Sequence, residues 1–284
     1  MWNKSSDAFL ECESAPEDAK IILFGAPFDS TTSYRPGSRF GSSAIRRESY
    51  GLESYSPYQD RDLTDSAILD IGDLNLPIGD TDKALNTIYA QTVEILKAEK
   101  LPFMLGGEHL VTLGAFRAVV KKFPDVGMIH LDAHADLRED YLGVTLSHAC
   151  VIRRCWEIMD NGHIFQFGIR SGDREEFRWG AEHIQTQKFT LDGWSETLEK
   201  WGDKPIYLTV DLDVLDPSVF PGTGTPEPGG VSFDDLRQTV TGICHRAHVV
   251  GCDVTELSPS YDPSGVSTAV AGKIVREMLL ALEK

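Results

Sequence analysis

The sequence predicts an α/β protein whose mostly parallel central sheet is covered on both faces by helices. Three observations predict it. Short, largely β-branched apolar runs recur along the chain, helix-length segments separate them, and the runs are nearly apolar throughout instead of alternating with polar residues. A strand buried on both faces has no solvent side to fill with polar residues. Parallel strands also need a crossover long enough to hold a helix.

In chain order the candidate strands are residues 21–24, 67–69, 102–105, 126–131, 164–167, 206–210 and 249–254. Residues 83–97, 112–122 and 233–247 carry the amphipathic period of helices between them. No repeat, low-complexity tract or linker-like break interrupts the sequence, so residues 1–284 are expected to form one domain.

Composition narrows the partners. A formal net charge of −17 argues against nucleic acid and anionic membrane, and suits a cationic substrate or metal ions. No stretch approaches the roughly 18 apolar residues of a membrane helix. Residues 1–13 lack a basic region followed by an apolar run, so cytoplasmic residence is expected. Cys12, Cys150, Cys155, Cys244 and Cys252 form no CxxC pair and are expected to be reduced, buried thiols.

In an open parallel sheet the functional crevice lies outside the carboxyl ends of the strands. After Leu131 comes Asp132-Ala133-His134-Ala135-Asp136. Residues at i, i+2 and i+4 of an extended chain point the same way, which brings two carboxylates and an imidazole together. After Val210, Asp211-Leu212-Asp213 delivers two more carboxylates by the same geometry. After Leu105, the paired glycines of Gly106-Gly107-Glu108-His109 permit a sharp turn that aims His109 into the crevice.

Carboxylates gathered in a low-dielectric cleft repel one another unless cations neutralise them. An oxygen-rich set with a minority of imidazole suits manganese better than the sulfur-rich sets of structural zinc. A fourth strand end carries Glu256, a carboxylate beyond the metal quota and a match for a planar guanidinium. His130 is expected to pack in the core, out of phase with the metal-binding residues. His163, His183, His245 and His248 sit in no motif and are expected at ordinary core or surface positions.

These segments closely resemble the ureohydrolase family of arginases, agmatinases, guanidinobutyrases, guanidinopropionases and formimidoylglutamases. The resemblance begins at Gly25-Ala26-Pro27 and Arg35-Pro36-Gly37-Ser38-Arg39-Phe40-Gly41 and runs to the Glu256 segment. It implies a three-layer α-β-α arginase-like fold, a trimeric or hexameric homo-oligomer, and two Mn2+ per chain sharing a bridging hydroxide. His109 and Asp136 would hold one ion, His134 and Asp213 the other, and Asp132 and Asp211 both. Asp136 would also orient the hydroxide. Glu256 would bind the guanidinium, Thr225 would line the pocket, and His148 would carry a proton to the leaving amine.

Within the family, Ser258-Pro259-Ser260-Tyr261-Asp262 resembles the agmatinase form. Residues 137–147 lack the asparagine- and glycine-containing loop with which arginases hold an α-amino acid. The resemblance therefore implies hydrolysis of agmatine to putrescine and urea. Guanidinobutyrate, arginine and formimidoylglutamate are the alternatives. Glu139 and Asp140 are expected near the entrance, facing the substrate's far amine. A non-catalytic metal-binding or regulatory protein is the alternative of another class, and the presence of the six metal-binding residues together with His148 and Glu256 argues against it.

Overall fold

The computed structural model describes residues 2–159 and 162–283. The first half contains β1 (Ile21–Gly25), α1 (Gly41–Ser49), the short antiparallel pair β2 (Tyr55–Ser56) and β3 (Arg61–Asp62), β4 (Ile68–Asp73), α2 (Thr81–Lys97), β5 (Leu101–Leu105), α3 (Val111–Lys122) and β6 (Gly127–Leu131). The second half adds α4 (Val151–Glu157), β7 (Ile164–Ile169), α5 (Arg174–His183), β8 (Gln185–Lys188), α6 (Trp194–Trp201), β9 (Pro205–Asp211), α7 (Phe233–Arg246), β10 (His248–Thr255) and α8 (Val266–Leu282).

Every predicted apolar run falls on a strand, with Ala67 and Val126 one residue outside, and the main sheet is parallel throughout, in the order β4-β1-β5-β10-β9-β6-β7-β8. Side chains alternate between its faces, as the period of two requires. Ile21, Leu23, Leu208 and Val210 join a core with Leu236 and Val240 of α7 and Ile274 and Met278 of α8. Ile22, Phe24, Met104 and Met128 join the opposite core with Ile88 of α2, Phe116 of α3 and Ile152 of α4. The result is the three-layer α-β-α architecture.

β8 was not foreseen. Its sequence, Gln-Thr-Gln-Lys, is polar because it lies at the sheet edge with exposed side chains. The predicted run at 67–69 extends to Asp73, where the polar Asp70 and Asp73 pair with Arg46 of α1. Among the described residues no helix is long and apolar enough to cross a membrane. All five cysteines are buried.

The four motif-bearing strands β5, β10, β9 and β6 are the four middle strands of the sheet. Their registers put Leu105, Val254, Val210 and Leu131 in one row. The residues that follow therefore leave the sheet side by side.

Candidate active site

The loop after β5 passes closely under its neighbours. A Cβ on Gly107 would lie 2.0 Å from the Phe28 carbonyl oxygen, so only glycine fits there. The turn delivers the buried His109 just before α3. Its Nδ1 lies 3.1 Å from Asp132 Oδ2, 3.1 Å from Asp136 Oδ2 and 3.4 Å from Asp211 Oδ2. Its Nε2 lies 2.9 Å from Thr209 Oγ1, and that hydroxyl gives its one proton to Asp253 Oδ1 at 2.6 Å. Thr209 must then accept from Nε2–H. In the neutral ring the Nδ1 lone pair faces three carboxylate oxygens with no hydrogen between them.

A second group adjoins the first. His134 Nδ1 lies 3.0 Å from Asp213 Oδ2 and 3.6 Å from Asp132 Oδ1. The donor atoms of Asp132, His134 and Asp213 lie within 4.8 Å of one another, as do those of His109, His130, Asp132 and Asp136. Asp132 belongs to both groups. Donor atoms bound at about 2.1–2.3 Å and at right angles around one hard cation are about 3 Å apart. The observed separations and the oxygen-rich chemistry therefore fit a pair of divalent ions better than hydrogen bonding alone.

Charge tells the same story. Burial, joined by the charge of Asp132, raises the Asp136 carboxyl to about 7. Burial and the neighbouring Asp213 and Asp132 push Asp211 well above the usual range, and burial and Glu108 do so for Glu256. Burial opposes a charge on His109 and His134, but the surrounding aspartates outweigh it and raise both. Asp132, by contrast, is held well below the usual range, against burial, by the His130, His109 and His134 imidazoles around it. A site that withholds ionisation from Asp136, Asp211 and Glu256 and presses protons onto His109 and His134 lacks positive charge.

Two of the expected site residues adopt left-handed backbone, uncommon for anything but glycine: Asp136 at φ 53° and Glu256 at φ 65°. The Asp136 carbonyl is held by the Ile152 and Arg153 N–H groups at 3.1 and 3.2 Å, at the start of α4. Glu256 N–H donates to Gly107 O at 2.9 Å, while its Oε1 accepts from His109 N–H at 2.7 Å.

A cleft of about 290 Å³ opens above this floor, lined by His109, His134, Asp136, Asp211, Asp213 and Glu256 and, higher up, by His148, Thr225, Arg138 and Tyr141. Burial lowers the His148 imidazole to about 4. Thr225 Oγ1 lies 3.5 Å from Asp213 Oδ2. Glu139 and Asp140 do not line this cleft; they line a neighbouring cavity, because Arg138 and Tyr141 turn inward instead. The acids on the outer wall are Asp173 and Glu176, which share the Arg138 guanidinium at 3.4 and 3.3 Å.

His130 is buried, but the expectation that it lies out of phase does not hold. It precedes Asp132 by two residues, so both point to the same side, and its Nε2 is 2.7 Å from Asp132 Oδ2. Sequence reasoning also missed Glu108, Thr31 and Glu227. Glu108 is buried, takes hydrogen bonds from Thr31 and Thr32, and has its carboxyl raised by burial to about 7. Thr31 in turn accepts the His148 N–H at 3.1 Å. Glu227 Oε1 lies 3.8 Å from His134 Nε2 and accepts from Ser171. Only Glu108 carried a signal, its place beside His109 in the motif.

Comparisons with known proteins place the chain among relatives. Residues 19–281 match the model of the Arginase family. An agmatinase of Bacillus cereus is 44% identical over 283 residues, covering 99% of this chain and 98% of that protein. The human mitochondrial guanidino acid hydrolase is 34% identical over 97% of this chain and 82% of its own. The crystal structure of an agmatine ureohydrolase of Thermoplasma volcanium superposes with a TM-score of 0.90 at 34% identity, covering 98% of this chain and 95% of that one.

Proposed function

This chain belongs to the arginase family, and we propose that it hydrolyses agmatine to putrescine and urea at a pair of manganese ions. His109 and Asp136 would hold one ion, His134 and Asp213 the other, with Asp132 and Asp211 shared. The observation that carries the reading is His109 Nδ1 held 3.1–3.4 Å from oxygens of three carboxylates beside a buried Glu256. When bound there, the ions supply a water acidified to near-neutral pKa and positive charge for the charge that develops on substrate.

The remaining work falls to side chains. Glu256, anchored through Oε1 to His109 N–H, presents its carboxylate to the guanidinium and fixes the carbon above the floor. Asp136 accepts a hydrogen bond from the attacking water and turns its lone pair toward that carbon. Oxygen adds to the carbon, and the bond from the carbon to the alkyl-bearing nitrogen then breaks. The leaving nitrogen must gain a proton. His148, kept neutral at pH 7 by burial, takes the proton that the water gives up and passes it to that nitrogen.

The substrate's far end separates agmatine from its competitors. Guanidinobutyrate, arginine and formimidoylglutamate each carry a carboxylate, and the outer wall already has two carboxylates, Asp173 and Glu176, on one guanidinium. An ammonium suits that wall; a carboxylate would have to displace Asp173 or Glu176 from Arg138. Cytoplasmic residence, where five buried thiols are at home, and a homotrimer or hexamer belong to the same reading. The test compares kcat/KM for the four substrates with Mn2+ present. Agmatine should lead by at least about tenfold, the size of one unpaired polar contact. A larger kcat/KM for any of the carboxylate-bearing substrates would overturn the assignment.

A further inference from the structure

A polar row crosses the sheet one layer beneath the site. In register, Thr186 of β8 stands beside Gln166 of β7, Gln166 beside His130 of β6, and His130 beside Thr209 of β9. All but Thr186 are buried, in strands otherwise filled with apolar side chains. Polar groups are retained at such positions only when their hydrogen bonds are satisfied.

The bonds fix the direction of every donor. A backbone carbonyl can only accept, so the Gln166 amide atom facing Ala135 O is the nitrogen, and Oε1 on the other side accepts from the Thr186 hydroxyl at 3.0 Å. That nitrogen donates to Ala135 O at 2.7 Å and to His130 Nδ1 at 3.0 Å. A ring nitrogen that accepts carries no hydrogen, so the His130 proton sits on Nε2 and is donated to Asp132 Oδ2 at 2.7 Å. On its other oxygen, Asp132 Oδ1 accepts from His134 N–H at 2.6 Å. Each oxygen of Asp132 thus receives one protein N–H and keeps one lone pair, the arrangement a carboxylate needs to serve two cations at once.

We propose that His130 is a positioning residue, its tautomer set by Gln166, that locks the Asp132 carboxylate in the orientation that serves both metal positions. This rests on the paired-metal reading above. Without the Nε2–H donor, Asp132 Oδ2 has a second unsatisfied lone pair in a buried site, and the carboxylate rotates away from the shared geometry. Partners behind a metal-binding side chain typically contribute 10- to 100-fold in metal affinity.

The test measures Mn2+ affinity directly. Full-length parent, His130→Leu and His130→Gln are stripped with chelator and titrated with Mn2+, free ion being counted by electron paramagnetic resonance. Melting without metal is recorded for each. The glutamine amide reaches about as far as Nε2 and restores a donor; leucine fills the space without one. His130→Leu should bind Mn2+ about 10- to 100-fold more weakly, and His130→Gln should recover most of that loss. Parent-like affinity in His130→Leu would overturn the proposal, as would an equal loss in both variants, which marks a packing role. Should His130→Leu fail to fold, Gln166→Met, which frees the tautomer, carries the same expectation of weaker binding, and parent-like affinity there counts against it. A parent that takes up no Mn2+ overturns the metal centre itself, an outcome distinct from the others.

Discussion

Glu256→Gln separates substrate binding from metal binding at a single atom pair. The substitution keeps the side chain's shape, and the amide oxygen can still accept the His109 N–H now 2.7 Å from Oε1. What changes is the group offered to the cleft: an N–H2 donor replaces a carboxylate, and a guanidinium has only donors to meet it. A hydrogen bond with a charged partner contributes about 1.5–3 kcal/mol. At roughly 1.36 kcal/mol per factor of ten, kcat/KM should fall about 10- to 150-fold. Stability should move the other way. Burial and Glu108 hold the Glu256 carboxyl well above its usual range, so its ionisation at pH 7 costs folding energy that the amide does not incur. Metal-stripped Glu256→Gln should therefore melt at or above the parent temperature and bind the same Mn2+. The assay is urea release across a range of agmatine concentrations, paired with metal analysis of the dialysed variant. Unchanged kcat/KM, or a loss of Mn2+, would refute the role given to this carboxylate.

His148→Asn should lower kcat by about 10²–10⁴ with Mn2+ content intact, as expected of a proton carrier; a metal-free variant would mark His148 as a ligand instead. Thr31→Val deletes the hydroxyl that holds His148 N–H at 3.1 Å and should lower kcat about 2- to 10-fold. In the His148→Asn background the same change should cost almost nothing, and simple additivity in that cycle would show that Thr31 does not act through His148. Melting of the metal-free protein should depend on pH with a definite sign. The raised carboxyls of Asp136, Asp211 and Glu256 contribute stability below their unfolded pKa of about 4 and lose it as pH rises, through about 7 for Asp136. The raised imidazoles of His109 and His134 contribute fully below about 6.5 and lose it as pH rises through their higher folded values. Both trends run the same way. The imidazoles of His148 and His130, depressed by burial, oppose them only below their unfolded pKa of about 6.5. The melting temperature should therefore fall from about pH 7 toward pH 9, and added Mn2+ should restore it at the alkaline end; a flat metal-free profile over that range would contradict the crowded charge.

Strands buried on both faces, such as β6 and β9, were legible because short continuous apolar runs separated by helix-length segments have few other uses. β8 was not, since an edge strand with polar side chains looks like a loop. α8 is buried around most of its circumference, which blurs the amphipathic period that marks a surface helix. At the site, the convergence of His109, Asp132, His134 and Asp213 could be anticipated from strand ends alone. The misreading of His130 was an error of parity, and counting by twos from Asp132 corrects it. Thr31 and Glu227 reach the site only through tertiary contacts with Glu108, His148 and His134, which no local pattern encodes. The left-handed backbone of Asp136 and Glu256 likewise comes with contacts to Ile152, Arg153 and Gly107 that no local pattern encodes.

The most direct test of a paired metal centre that hydrolyses a guanidinium is urea released from agmatine as Mn2+ is added back to metal-stripped protein. Activity should rise with added ion and level off at about two Mn2+ per chain, and Asp213→Ala should flatten the curve. A plateau at about one ion that Asp213→Ala leaves unchanged, or no urea at any ratio, would contradict the paired centre.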